Sequence, residues 1–188
     1  DLQWDQRLIP YDILGNAAQA RVLVKAKVLT KAEGARLVKA LAALYKTWER
    51  GGLKLKLSDE DVHTRIEAEL TKRLGDLARN ERAYAEAMEW YDEAERLSPS
   101  LSAEVAYRIA SCHEEIGQFD EALSWYQRLD QPPWRIRGLL AAAKLLERQD
   151  RVAEAEAIYE QLAAEPIPEA KAVQERLASL RAEALRSQ

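Results

Sequence analysis

The chain is short of the residues that usually carry chemistry or cross-links. Its 188 residues include one Cys, one Met, one Phe and two His. A single thiol, Cys112, excludes an internal disulfide and fits a reducing, cytoplasmic setting. His63 and His113 stand fifty positions apart, with Cys112 beside His113, so no zinc-ligand spacing exists and no metal is expected. Adjacent helical residues point about 100° apart, which disfavours a Cys112–His113 nucleophile pair. Only 7 Gly are present, none of them in a phosphate-binding loop, and no cofactor is expected. No apolar run approaches the roughly 20 residues of a membrane span. A basic-then-apolar leader is also missing, so neither membrane association nor secretion is expected.

What is present favours helix: Ala, Leu, Glu, Arg and Lys dominate, with 47 % hydrophobic and 32 % charged residues. The net charge of −4 conceals an asymmetry. Residues 1–75 hold 14 Lys+Arg against 10 Asp+Glu; the rest hold 14 against 22. The first part uses 8 Lys and 6 Arg, the second 2 Lys and 12 Arg. Helix formation does not demand that switch, since both cations suit a solvated helix face. It points to two unrelated sequences joined near residue 75. The acidic second part argues against nucleic acid as a partner.

In the first part, Ala17, Ala20, Leu23, Val24 and Val28 predict a helix over residues 17–28. Thr30 and Glu33 have capping-box spacing and open a second helix with Leu37, Leu41, Leu44 and Trp48 as its stripe; Gly51-Gly52 ends it. Leu53 to Leu57 alternates with Lys and reads as a short extended connection. Ser58 is the expected cap of a third helix reaching about Asn80, with Asp59, Glu60 and Asp61 at its positive end.

Trp4-Asp5-Gln6-Arg7-Leu8, Pro10-Tyr11-Asp12-Ile13, Gly15 to Arg21, and Asp59 to Thr64 with Ile66-Glu67 and Leu70 follow one another in order. On these residues the stretch 1–75 resembles the N-terminal domain of argininosuccinate lyases. The resemblance places Asn16 and His63 at remnants of the family's substrate pocket. It also marks departures: the family's Gly-Ser and Ala-His stand here as Gly15-Asn16 and Ala18-Gln19. After Leu74-Gly75 the family's substrate-binding His-Thr and Arg-Ser-Arg-Asn-Asp give way to Asp76-Leu77-Ala78-Arg79-Asn80. The family's central helices and catalytic Ser loop have no counterpart, so no lyase catalysis is expected. His63, among three carboxylates at a helix start, reads as a solvated or capping residue.

From about residue 68 the chain repeats. Ala87, Ala122 and Ala155 form one column at spacings of 35 and 33; Tyr91, Tyr126 and Tyr159 follow four later, and Tyr84, Phe119 and Val152 precede by three. Gly75, Ala110 and Ala143 form a small-residue column upstream, and Pro99, Pro132-Pro133 and Pro166 mark the ends. Small residues let paired helices approach closely, and proline stops the second helix. The aromatic column is expected to pack against the next hairpin. These columns resemble tetratricopeptide repeats, without that family's Trp column. Residues 167–188 read as a capping helix started by Pro168, with Val173, Leu177, Leu180 and Ala184 inward.

The expected fold is all-α: a right-handed superhelical array of antiparallel hairpins over 68–166, preceded by a small helical module over 1–75 and joined to it by one shared helix over 58–80. The resemblance assigns a concave groove to the first helix of each hairpin, presenting Glu69, Lys72 and Asp76, then Glu104, Tyr107, Ser111 and Glu114, then Arg137, Leu140 and Lys144. Some members of that family clamp a carboxylate with Lys and Asn, but Asp76, Ser111 and Ala141 do not preserve the clamp. Glu69–Arg73, Glu104–Arg108 and Glu147–Arg151 read as solvated ion pairs four apart. A shared helix without a linker points to an engineered, non-catalytic scaffold. The alternatives are a natural adaptor holding a peptide or protein in the groove, and a lyase fragment with residual substrate binding.

Overall fold

The computed structural model describes residues 5–54 and 61–186 and is all-α over them. Trp4, Leu55 to Leu57 and the expected cap Ser58 with Asp59 and Glu60 lie outside the described residues, as does the side chain of Ala184. The helices are α1 (Ile9–Lys25), α2 (Lys31–Glu49), α3 (Val62–Asn80), α4 (Tyr84–Leu97), α5 (Ser102–Glu115), α6 (Phe119–Gln127), α7 (Trp134–Arg148), α8 (Val152–Ala163) and α9 (Ala170–Arg186). They divide into two compact units, Asp1–Arg108 and Ile109–Gln188, the division falling within α5.

In the first unit α1 begins at Ile9, eight residues before the expected start, because Pro10 in the first turn lacks a donor that would be unpaired there anyway. It also ends earlier, at Lys25 and not Val28. Lys27 adopts φ 60°, and the Lys27 and Val28 amides donate to the Val24 and Leu23 carbonyls, closing the helix in a Schellman turn. The capping box of α2 is present in both directions: the Glu33 amide donates to Thr30 Oγ1 at 3.2 Å, and the Thr30 amide to Glu33 Oε2 at 2.7 Å. Gly51, at φ 71°, ends α2 by the same Schellman geometry. Ile9 and Ile13 of α1, Leu41 and Leu44 of α2, Ile66 of α3 and Leu53 from the segment after α2 make the core of this module, flanked by Leu37, Trp48, Val62 and Leu70. Burying each such side chain contributes about 1.5–3 kcal/mol.

The third helix runs unbroken from Val62 to Asn80, and its cap is Asp61, whose carboxylate accepts the Thr64 amide at 2.7 Å. Its far end packs against α4 at Gly75. A Cβ there would lie 2.6 Å from Tyr91 Cε1, so only glycine admits the ring.

The repeat columns take equivalent positions in each hairpin. Tyr84, Phe119 and Val152 are the first residues of α4, α6 and α8. Ala87, Ala122 and Ala155 are wholly buried, as are Ala110 and Ala143. The turns match as well. Arg82, Gly117 and Asp150 take φ of 62°, 81° and 59°, and the amide after each donates five residues back, from Ala83 to Ala78, Gln118 to His113 and Arg151 to Leu146. The tyrosine hydroxyls reach back across their own hairpins: Tyr126 donates to Glu114 and Tyr159 to Glu147. A phenol buried at a helix crossing needs an acceptor, and the first helix supplies it. In the second unit α9 starts at Ala170, two residues after Pro168, and buries Val173, Leu177 and Leu180.

Candidate functional site

The two residues assigned to a lyase-like pocket meet at a third. Asn16 Nδ2 lies 3.5 Å from Asp12 Oδ2, and His63 Nδ1 lies 3.3 Å from the same oxygen. The second ring nitrogen of His63 is 3.3 Å from Glu67 Oε1. The hydrogen bond to Asp12 raises the imidazole above its usual value despite some burial, and the Asp12 and Glu67 charges add to it. Nothing in the sequence named Asp12 as the meeting point. The signal was its position four residues before Asn16, one helical turn away.

Four of the residues assigned to the groove lie in one alternating chain of charge across α3 and α5. Arg65 donates to Glu69 at 2.8 Å and to Ser100 at 2.9 Å. Lys72 Nζ lies 2.9 Å from Glu69 and 3.1 Å from Glu104. Arg108 donates to Glu104 at 2.7 Å and also to Asp76, which accepts from Tyr91 at 2.8 Å. Three cations face three anions, and Arg65, Glu69 and Lys72 are buried. Burial pushes the Glu104 carboxyl up, but Lys72 and Arg108 outweigh it and hold the group below its ordinary value.

This arrangement corrects the expectation of solvated pairs four apart. Glu69 pairs with Arg65 and Lys72, while Arg73 turns to Thr47 at 2.7 Å. Glu147 accepts from Tyr159 at 2.6 Å and from Arg176, and Arg151 pairs with Glu154 and Asp120. Glu104–Arg108 forms as expected, though half-buried. The Arg176 hydrogen bond holds Glu147 below the usual carboxylate range against its desolvation.

In the second unit Glu114 is held by Tyr126 and Arg148, and Arg137 stacks over the Trp134 ring at 4.9 Å. Leu140 and Lys144 line a pocket of about 440 Å³ with Glu147, Tyr159, Glu169, Ala172, Val173 and Arg176. Its floor is apolar and aromatic, and its rim carries two cations and two carboxylates. Such a pocket can take an apolar side chain and pair both ends of a peptide dipole. Tyr107 and Ser111 lie half-buried on α5, outside that lining. Among the described residues no cluster of three or more His, Cys, Asp or Glu could hold a metal ion. No helix among them is long and apolar enough to cross a membrane.

Two tetratricopeptide repeat family models match, one over residues 73–101 and the other over residues 106–134. Relatives of another kind are also similar in sequence. The argininosuccinate lyase of Staphylococcus saprophyticus is 39 % identical over 75 residues, which are 40 % of this chain and 16 % of that protein. That of Sorangium cellulosum is 45 % identical over 76 residues, 40 % of this chain and 18 % of the relative. That of Syntrophobacter fumaroxidans is 27 % identical over 158 residues, 79 % of this chain and 34 % of the relative. The chain thus spans between about a sixth and a third of the length of these curated relatives. It joins an argininosuccinate-lyase-like segment to tetratricopeptide repeats.

Proposed function

We propose that the chain is a non-catalytic helical scaffold, made by fusing a lyase-derived module to tetratricopeptide hairpins through α3, and that its repeats hold a peptide or protein partner. The observation that carries this reading is the unbroken course of α3. Ile66, in the lyase-like stretch, is a core residue of the α1–α2 module, while Gly75, fewer than three turns later, receives Tyr91 of the first repeat. No polar or glycine-rich linker separates them, as independent modules would need. The buried charges joining Arg65 and Glu69 to Ser100 and Glu104 belong to the same scaffold. In the second unit, the pocket beside Lys144 is where a partner's side chain fits best.

The reading is tested by incubating the full chain with argininosuccinate and following fumarate release by its ultraviolet absorbance. No release above buffer is expected. By resemblance the Asn16–Asp12–His63 cluster is a remnant of a pocket, and catalysis needs several groups held together in reacting geometry. Fumarate release that saturates with substrate would overturn the scaffold reading.

A further inference from the structure

The outer face of α1 is apolar where a surface helix should be polar. Tyr11, Leu14 and Val22 are 73 %, 56 % and 54 % exposed, and exposed Ala18 completes a stripe at steps of three, four and four. Beside that stripe, α1 and α2 part to form two adjoining pockets of about 420 and 320 Å³ that share Arg21 and Val38. Their floor is Ala17, Ala20, Val24, Ala35, Leu41 and Tyr45. Their rim is cationic: Arg21, Lys25, Lys31 and Lys46 stand against the single carboxylate Glu49. All four cations are exposed, and no ion pair joins any of them to another described residue.

We infer that this α1–α2 groove is a docking site for an acidic amphipathic helix of a partner protein. The length fits: Leu14 to Lys25 covers roughly three helical turns, about 16 Å at 1.5 Å per residue. The apolar floor and stripe match the i, i+3, i+4, i+7 anchors of a helix laid in a groove. The sign of the rim selects the partner, because four unpaired cations favour carboxylates flanking those anchors and repel a basic helix. This site lies on the lyase-like module and is independent of any partner on the repeats.

The test is a fluorescence-anisotropy titration of the full chain with a labelled model peptide bearing Leu at helical i, i+3, i+4 and i+7 positions and Glu elsewhere. Two control peptides are used: a scramble that destroys the periodicity, and a version with Lys in place of Glu. Saturable binding of the first peptide alone is expected. The double variant Arg21→Glu, Lys46→Glu should weaken it about tenfold, as two lost surface ion pairs would. Both positions are exposed, so an unchanged circular dichroism spectrum and melting temperature are expected alongside. Val38→Asp, in the apolar lining that both pockets share, should weaken it as well. Equal binding of the scrambled or Lys peptide, or affinity untouched by the rim reversals, would overturn the inference. Sedimentation showing a dimer that the same rim reversals dissociate would also overturn it, by making a second copy the occupant.

Discussion

Glycine in a helix costs about 1 kcal/mol relative to alanine, so each helical glycine asks what it is for. Gly15 and Gly75 answer differently. Around Gly15, exposed on α1, an added Cβ meets nothing within 4 Å. At Gly75 it meets the Tyr91 ring at 2.6 Å, and that ring is pinned by its hydroxyl on Asp76. Gly15→Ala should therefore raise stability by about 0.5–1 kcal/mol. Gly75→Ala should lower it by roughly 1 kcal/mol or more, because overpacking costs about 1–3 kcal/mol and exceeds the propensity gain. Urea denaturation of the two variants checks both signs; a stabilising Gly75→Ala would mean that Tyr91 can move. The role of Gly75 was legible from its column of small residues. The partner of Glu69 was not. Arg65, Lys72 and Arg73 all stand at helical contact distance from it along the sequence, and burial, not spacing, chose the first two.

At the scale of elements, the turns show the same limit. Gly117 announced its turn, but Arg82 and Asp150 adopt the same left-handed conformation without the residue that signals it. What repeats is the hydrogen-bonded turn, and side chains that tolerate about 1–2 kcal/mol of strain occupy it in two hairpins of three. Likewise the start of α1 at Ile9 was hidden in the sequence because Gly15 interrupts the pattern of apolar residues without interrupting the helix. Between α3 and α5 the ion chain makes a pH prediction. Glu104 is held below its ordinary value near 4.5, so its contribution to stability is present above that value. It is lost as pH falls through the lower folded-state value. Glu104→Gln removes the titrating group, leaving Lys72 and Arg108 short of an anion, and should destabilise the chain at neutral pH. The gap between parent and variant should then narrow as pH drops below about 4.5. Urea midpoints at pH 7 and at about pH 3 measure it; a gap of constant size would show that Glu104 contributes through packing alone.

At the scale of the molecule, two sequence families were legible, one from motifs in order and the other from its repeat spacing, and all-α structure from composition and capping. What sequence could not supply is how far the lyase-like module and the first hairpin depend on one another, because their links are made by side chains distant in sequence. Arg36 of α2 pairs with Glu86 of α4 at 3.0 Å and reaches Glu81 at 3.7 Å. Arg73 of α3 donates to Thr47 of α2. Ile66 is wholly buried in the α1–α2 core, one residue from Arg65, which donates to Ser100 beyond α4. These contacts make α3 the common wall of both parts of the first unit. Ile66→Pro removes a backbone donor and clashes with the preceding turn, at a cost of about 3 kcal/mol or more. Were the two parts independent, amides of α1 and α2 would exchange faster while those of α4 stayed protected. With α3 as the common wall, the loss reaches both sides. Hydrogen exchange followed by mass spectrometry should show faster exchange over Ile9–Lys25, Lys31–Glu49 and Tyr84–Leu97 together. Ile66→Ala, which leaves a cavity but keeps the helix, should produce a smaller rise in the same three segments. Native protection of α4 in the proline variant would sever the lyase-like module from the repeats and remove the support for a fusion through a shared helix.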